Sequence, residues 1–351
     1  MTRHTHDFPH TISITGGASG LGYAYARTFA ASYPDLHIII ASRNQQQHGM
    51  RAVRTLQQKT GNQHIACMPL DLASLASVRA FAREVAARDL PPLRALICNA
   101  GLQVVSGTIY TQDGFELTFG VNCLGHFLLV NLLLPQVVAP ARIVFVSSDA
   151  HDPQYQSSMH RFVGLNPPRY RDARALAWPE QYPDAQESNE TPQKIGMRRY
   201  STSKLCNVFY AYELARRLQA QGYSAPEHPI TVNAFNPGPI PGTGLARDAS
   251  LFQRFGWRIL LPLMRRRYQD LSSPESAAKG LARLVFDPAL EQTTGKYFEK
   301  MNERASSQES YDQHKAAELW EITAELVRLE PGESILQPNT HARVGTTHGS
   351  Q

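Results

Sequence analysis

A chain of 351 residues, 42% hydrophobic and 19% charged, has ample apolar content for one large α/β domain, and that balance excludes a disordered chain. The net charge of +5 is mild and owes something to local runs such as Arg265-Arg266-Arg267; with no recognisable reading module beside it, nucleic acid is not expected as a partner. Four widely spaced cysteines (Cys67, Cys98, Cys123, Cys206) fit reduced thiols in a cytoplasmic protein, and thirteen histidines without ligand-type spacing predict no metal site.

In chain order, residues 1–9 read as a disordered N-terminus without an apolar signal segment, and no run of about 18 apolar residues predicts a membrane span. Short apolar runs then alternate with amphipathic stretches. Thr11–Ile14, Leu36–Ala41, Ile65–Leu70, Leu93–Cys98 and Arg142–Val146 read as buried strands. Helical periodicity covers about 20–33, 44–60, 74–88 and 112–138. Continuous β-branched strands separated by helices mean a parallel sheet covered on both faces. The expected fold is therefore α/β: a doubly wound, Rossmann-type parallel sheet in three α/β/α layers, one domain over residues 10–330.

After Ser148 the rhythm breaks. Residues 149–195, polar and Pro-rich, read as a surface insertion beside the active site. A helix follows at about Gly196–Gln221, then a strand at Ile230–Phe235. Residues 241–271 form a second excursion, before a helix at about Pro274–Phe286. Gly295–Phe298 closes the sheet, Asp312–Leu329 is the last helix, and 331–351 reads as a disordered tail.

Thr15-Gly16-Gly17-Ala18-Ser19-Gly20-Leu21-Gly22 lies where the first strand meets the first helix. Glycines there let the backbone turn tightly and approach a diphosphate, while the helix N-terminus offers N–H groups and a positive dipole. Gly16, Ser19, Gly20, Leu21 and Gly22 are the candidate phosphate binders. The second strand ends in Ala41-Ser42-Arg43-Asn44. A site for NAD would place an acid here for the ribose 2′-hydroxyl; Ser42 and Arg43 suit a 2′-phosphate instead, which makes NADP(H) the expected cofactor. A solvated arginine opening the next helix is the competing reading of Arg43. Asp71, followed by Leu72 at the end of the third strand, could accept from the adenine amino group or cap the next helix.

Tyr200-Ser201-Thr202-Ser203-Lys204 places Tyr200 and Lys204 on one helix face. A nearby ammonium is expected to lower the phenol toward the working pH, so that the tyrosine trades a proton with a substrate oxygen. Tyr311 and Lys315 repeat the spacing and read as helix surface. Only Tyr200 follows a buried strand ending in Ser147-Ser148, whose hydroxyls lie at the ligand crevice; Ser148 is favoured. Cys98-Asn99-Ala100-Gly101 closes the fourth strand, with Asn99 reaching backbone of the neighbouring strand or, more simply, marking a turn. Asn122 interrupts an apolar helix, and a kink there would free a carbonyl to order a relay water. His126 reads as a packed core histidine rather than a catalyst.

Taken in order, the glycine turn, Asn99-Ala100-Gly101, Asn122, Ser148, Tyr200/Lys204 and Asn236-Pro237-Gly238 resemble the short-chain dehydrogenase/reductase family over about residues 10–330. Gly114-Phe115-Glu116, Leu124-Gly125-His126-Phe127 and Ser203-Lys204-Leu205-Cys206-Asn207 are similar to its retinol dehydrogenase, WW-domain oxidoreductase and protochlorophyllide reductase branch. The resemblance implies Asn122, Ser148, Tyr200 and Lys204 as the catalytic set. It also assigns Asn99, Ala100, Gly101, Pro237, Gly238 and Thr243 to the cofactor. Two departures stand out: Gly242 occupies the family's usual threonine position, with Thr243 next, and Gly101 stands where protochlorophyllide reductases often have alanine.

Leu251, Phe252, Phe255, Trp257, Ile259 and Leu260 head an apolar cluster in 241–271. It reads as a lid over a bulky lipophilic carbonyl or alcohol, as ordinary helix packing, or as a weak membrane-surface contact. The expected activity is thus NADP(H)-dependent hydride transfer to or from a carbonyl or alcohol of a bulky lipophilic small-molecule substrate, with Tyr200 as the acid/base, by a monomer or homo-oligomer. The alternatives are reduction of a tetrapyrrole double bond, for which Cys206 merits scrutiny although it reads more simply as a buried structural thiol, and a catalytically silent NADP(H)-binding sensor or scaffold.

Overall fold

The computed structural model describes residues 10–154, 166–185, 187–227, 229–240 and 272–336. The β-branched runs become strands β1 (Thr11–Thr15), β2 (His37–Ser42), β3 (Ile65–Pro69), β4 (Leu93–Cys98), β5 (Val137–Val146), β6 (Ile230–Asn236), β7 (Lys296–Glu299) and β8 (Asn302–Arg304). They form one sheet in the order β3-β2-β1-β4-β5-β6-β7-β8. All pairings are parallel except the last, where β8 folds back antiparallel on β7. The chain leaves β1 on one side through β2 and β3 and resumes on the other at β4. The crevice beyond the carboxyl ends of β1 and β4 is therefore the switch point where such sheets bind ligands.

Helices α1 (Gly20–Ser32), α2 (Met50–Thr60), α3 (Leu75–Ala87), α4 (Leu117–Gln136), α5 (Ala173–Ala177), α6 (Pro192–Ala220), α7 (Pro274–Phe286) and α8 (Gln313–Leu326) cover the sheet. Side-chain alternation along β2 shows why two cores form. Ile38 and Ile40 join Phe29 of α1, Val53 of α2 and Leu281 of α7. Ile39 and Ala41 face the other way, with Phe81 of α3, Phe127 of α4 and Phe209 of α6. Each such large aliphatic or aromatic side chain contributes about 1.5–3 kcal/mol by leaving water.

Several local expectations are corrected. Contrary to the reading that no apolar run is long enough to span a bilayer, α4 passes that test by length and composition; it is mostly buried inside the protein and is a core helix. A π-helical turn, Gln45–Gly49, precedes α2, and a second one, Gly120–Leu124, lies within α4. β5 starts at Val137 rather than Arg142, and its register against β4 shifts between Leu93 and Ala95. Pro140, which has no N–H to donate, lies on β5 across that shift.

The described parts of 149–195 pack on the body of the protein. Trp178 donates to the Gly114 carbonyl at 3.0 Å, Arg169 N–H donates to Thr202 Oγ1 at 2.9 Å, and Arg169 pairs with Asp184. α6 begins at Pro192, four residues before the expected Gly196, with Thr191 capping it and the proline at its first position. At the other end, residues 331–336 are tied down rather than loose: Glu333 pairs with Arg79, and Ile335 and Leu336 pack on the core. Residues 1–9, the 241–271 segment and 337–351 lie outside the described residues.

Candidate active site

The glycine turn lies at the switch point. Gly16 and Gly20 adopt φ of +68° and +56°, in the left-handed region that favours glycine. At Gly22 the constraint is space: a Cβ would stand 2.5 Å from the Gly16 carbonyl oxygen and 2.7 Å from Asn99 Nδ2. Ser19 is the N-cap of α1, yet its side chain makes no capping bond, and no acidic residue stands in the first turn. The helix end therefore keeps its N–H groups and positive dipole for an external anion.

This turn forms one wall of a cleft of about 1130 Å³. Gly16, Ser19, Gly20, Ser42, Arg43, Asp71, Leu72, Ala100 and Gly101, all expected at the cofactor, line it. Leu21 instead packs against the core beneath the turn. Asn99 acts as a cross-strand clamp: its backbone N–H donates to Thr15 Oγ1 at 2.9 Å and its amide to the Thr15 carbonyl at 2.8 Å. Asp71 does not cap α3, a role taken by Ser74; its Oδ1 accepts from Ala73 N–H at 3.0 Å. The cleft also takes in Thr15, Tyr23, His48 and Arg51, which the sequence reading passed over. His48 lies in the π turn ahead of α2 and Arg51 in the first turn of α2, and no local sequence pattern announced the π turn.

At the carboxyl end of β5 the two adjacent serines separate by role. Ser147 is buried, and its hydroxyl donates to the Lys204 carbonyl at 2.8 Å. Ser148 donates to Asp149 Oδ1 at 2.9 Å and accepts from Ala150 N–H at 3.2 Å. Lys204 Nζ sits 5.6 Å from the centre of the Tyr200 ring and donates to the Val146 carbonyl at 3.0 Å. An added Cβ on Gly101 would lie 3.6 Å from that nitrogen and 3.3 Å from Asn122 Oδ1, so the lysine and Asn122 stand directly behind the cleft wall.

The expected electrostatics need correction. Tyr200 is not lowered toward neutrality: burial pushes it up, Asp149 adds to the rise, and the Ser148 hydrogen bond pulls the other way. Lys204 is lowered by burial to about 8. Taking a phenolate or an ammonium out of water disfavours the charged form of each, and burial is the largest cause of both shifts. The phenol is therefore held in its protonated form.

Asn122 falls in the predicted kink, the π turn of α4, but its groups are occupied. The side-chain amide donates to the Leu102 carbonyl at 2.9 Å and to Ser203 Oγ at 3.0 Å, and Oδ1 accepts from Leu102 N–H. Its backbone carbonyl lies 3.1 Å from His126 Nδ1, so the carbonyl is not simply freed. Cys206 is fully buried, and burial holds its thiol well above the usual range, which gives no support to a chemical role. Gly238 takes φ of +75° beyond β6, its N–H donating to Asn236 Oδ1 at 2.9 Å, with Pro237 before it. Thr243 lies outside the described residues.

A doubly wound sheet, a glycine turn feeding a helix at its switch point, and Ser148, Tyr200 and Lys204 gathered beside the same crevice define a Rossmann-type α/β protein. The chain matches the short chain dehydrogenase family over residues 10–159 and an AcuH dehydrogenase domain over 244–336. Retinol dehydrogenase 13 of Homo sapiens is 33% identical over 331 residues, covering 93% of this chain and 87% of its own length. The WW domain-containing oxidoreductase of Danio rerio is 33% identical over 321 residues, covering 90% and 68%. Among solved structures, the NADPH-bound carbonyl reductase from chicken fatty liver shares the fold, with a TM-score of 0.56 and 20% identity over 84% of this chain and 98% of its own. This chain belongs to the short-chain dehydrogenase/reductase family, in the branch of those two relatives.

Proposed function

We propose that the chain is an NADP(H)-dependent oxidoreductase acting on a carbonyl or alcohol of a bulky lipophilic substrate, with Tyr200 as the acid/base. One observation carries the reading: a buried phenol stands beside the Lys204 amine, and that amine lies directly behind the Gly101 wall of the cleft that the glycine turn opens. The preference for a 2′-phosphate is supported by charge. No aspartate or glutamate occurs between Asp35 and Asp71, and both Arg43 and Arg51 line the cleft there. Lipophilic substrates are suggested by the name of the retinol dehydrogenase relative and by the apolar residues from Leu251 to Met264.

When bound, the nicotinamide supplies or takes up the hydride. In the reductive direction Tyr200 gives its proton to the substrate oxygen as negative charge develops there. Ser148 steadies that oxygen by turning its hydroxyl away from Asp149. Lys204, held by the Val146 carbonyl, offsets the charge left on the phenol. Asn122 holds the Leu102 backbone and the Ser203 side chain, and through them the wall and the helix that carries Tyr200.

The deciding experiment follows NADPH and NADH oxidation with a panel of lipophilic aldehydes, ketones and quinones. NADPH-dependent reduction of at least one carbonyl is expected. Tight NADPH binding without turnover of any substrate would leave a silent binder instead, and equal use of NADH would remove the role given to Arg43.

A further inference from the structure

The fully buried His126 has no place in the chemistry above, yet both of its ring nitrogens are engaged. Nδ1 lies 3.1 Å from the Asn122 carbonyl oxygen, and Nε2 lies 2.9 Å from Thr15 Oγ1. The tautomer follows by elimination. A carbonyl can only accept, so Nδ1 carries the hydrogen, Nε2 is the acceptor, and Thr15 must donate to it. The Thr15 hydroxyl also accepts from the N–H groups of Asn99 and Ala100, each at 2.9 Å, and its single hydrogen is shared between Nε2 at 2.9 Å and the more distant Ile97 carbonyl at 3.3 Å. Burial, with a smaller effect from the Lys204 amine, holds the imidazole at about 4, so it stays neutral and keeps one tautomer through the working range.

The hydrogen bonds form one continuous path. It runs from the N–H groups of Asn99 and Ala100 to Thr15, on to His126 and the Asn122 carbonyl, then through the Asn122 amide to Ser203, whose hydroxyl donates to the Tyr200 carbonyl at 2.7 Å. Thr15 is the residue before Gly16 and itself lines the cleft. We propose that His126 is a positioning residue that couples the two ends of the site: Nε2 fixes the strand end that presents the glycine turn, and Nδ1 fixes the Asn122 carbonyl beside the Tyr200 helix. The inference rests on the reading of Tyr200 and Asn122 given above. A purely space-filling role would not require both nitrogens to be matched in this way, since an unpaired buried nitrogen is what costs stability.

Two substitutions divide the ring. In His126→Asn the side-chain amide nitrogen falls near the place of Nδ1 and keeps the Asn122 half; in His126→Gln the carbonyl oxygen falls near Nε2 and keeps the Thr15 half. Steady-state kinetics with NADPH and the best carbonyl from the panel, on variants first checked by thermal melting, should give opposite patterns. The Asn variant is expected to raise the NADPH KM by about tenfold, more than it lowers kcat; the Gln variant is expected to lower kcat by about tenfold, more than it raises that KM, and to alter the solvent deuterium isotope effect. Parallel losses of both parameters in the two variants, or none, overturn the coupling. If neither variant folds, Thr15→Val, which deletes the partner hydroxyl, must reproduce the Asn pattern while Thr15→Ser restores wild-type values; an unchanged KM in Thr15→Val overturns the proposal equally. Tyr200→Phe run alongside keeps the readings apart: if it abolishes turnover and the position-126 variants change in parallel, only the coupling falls.

Discussion

Two tyrosine–lysine pairs with identical spacing occupy very different surroundings. Tyr200 and Lys204 are 8% and 3% exposed and meet the carboxyl end of β5; Tyr311 is 53% exposed, and Lys315 is engaged with Glu309. The phenol at 200 is pushed up by burial, whereas the hydrogen bonds at 311 outweigh its burial and bring that phenol down. On acidity alone the surface tyrosine would look the more activated. What separates the pairs is the neighbourhood: Tyr311 also meets a serine, Ser306, but only the first pair lies at the end of a parallel strand with a buried amine behind a cleft wall. Four residues of spacing set a helix face, and the strand beside that face sets the chemistry.

The comparison can be broken first at the phenols. Tyr200→Phe is expected to cost about a thousandfold or more in kcat, while Tyr311→Phe stays within about twofold; a Tyr200→Phe enzyme that still turns over at a comparable rate removes the acid/base assignment. Next come the paired serines. Ser148→Ala should lose about a hundredfold in kcat, the size of one lost transition-state hydrogen bond. A smaller effect belongs to the lysine. Because Lys204 titrates at about 8, reduction should be level below that pH and fall toward tenfold per unit above it. The phenol, pushed up, is still protonated there, so a flat profile to pH 10 would show that the ammonium is not needed. Smallest is Ser147→Ala, which should leave turnover within a few fold and lower stability by about 1 kcal/mol, read from the denaturant midpoint, as the Lys204 carbonyl loses its donor.

Much of the frame was legible because it depends on local pattern. Ile38-Ile39-Ile40 must be buried on both sides, and glycines between a strand and a helix have few other uses. β4 falls where the apolar run Leu93–Cys98 placed it. Less legible were features created by distant partners. The π turn before α2 presses Gly49 so close to Cys67 that a Cβ would stand 2.3 Å from its sulfur, a constraint invisible within either segment. The pull of burial on Tyr200 and Lys204 likewise comes from the surrounding protein rather than from their spacing. The early start of α6 was different: Thr191-Pro192 is a helix-opening signal that the surrounding prolines obscured. Between Ser147 and Ser148 only the structure separates the two, since both are small hydroxyls at one strand end.

The short β8 has a consequence for how the molecule keeps to itself. A parallel sheet ending at β7 would present a bare row of backbone donors and acceptors, an invitation for another extended chain to dock. Three residues, all exposed, turn back to cover that row, and two of them are charged: Glu303, paired with Lys296, and Arg304, beside Glu299. An incoming strand would have to strip water from both charges before pairing, so this flank of the sheet is protected against edge-on aggregation.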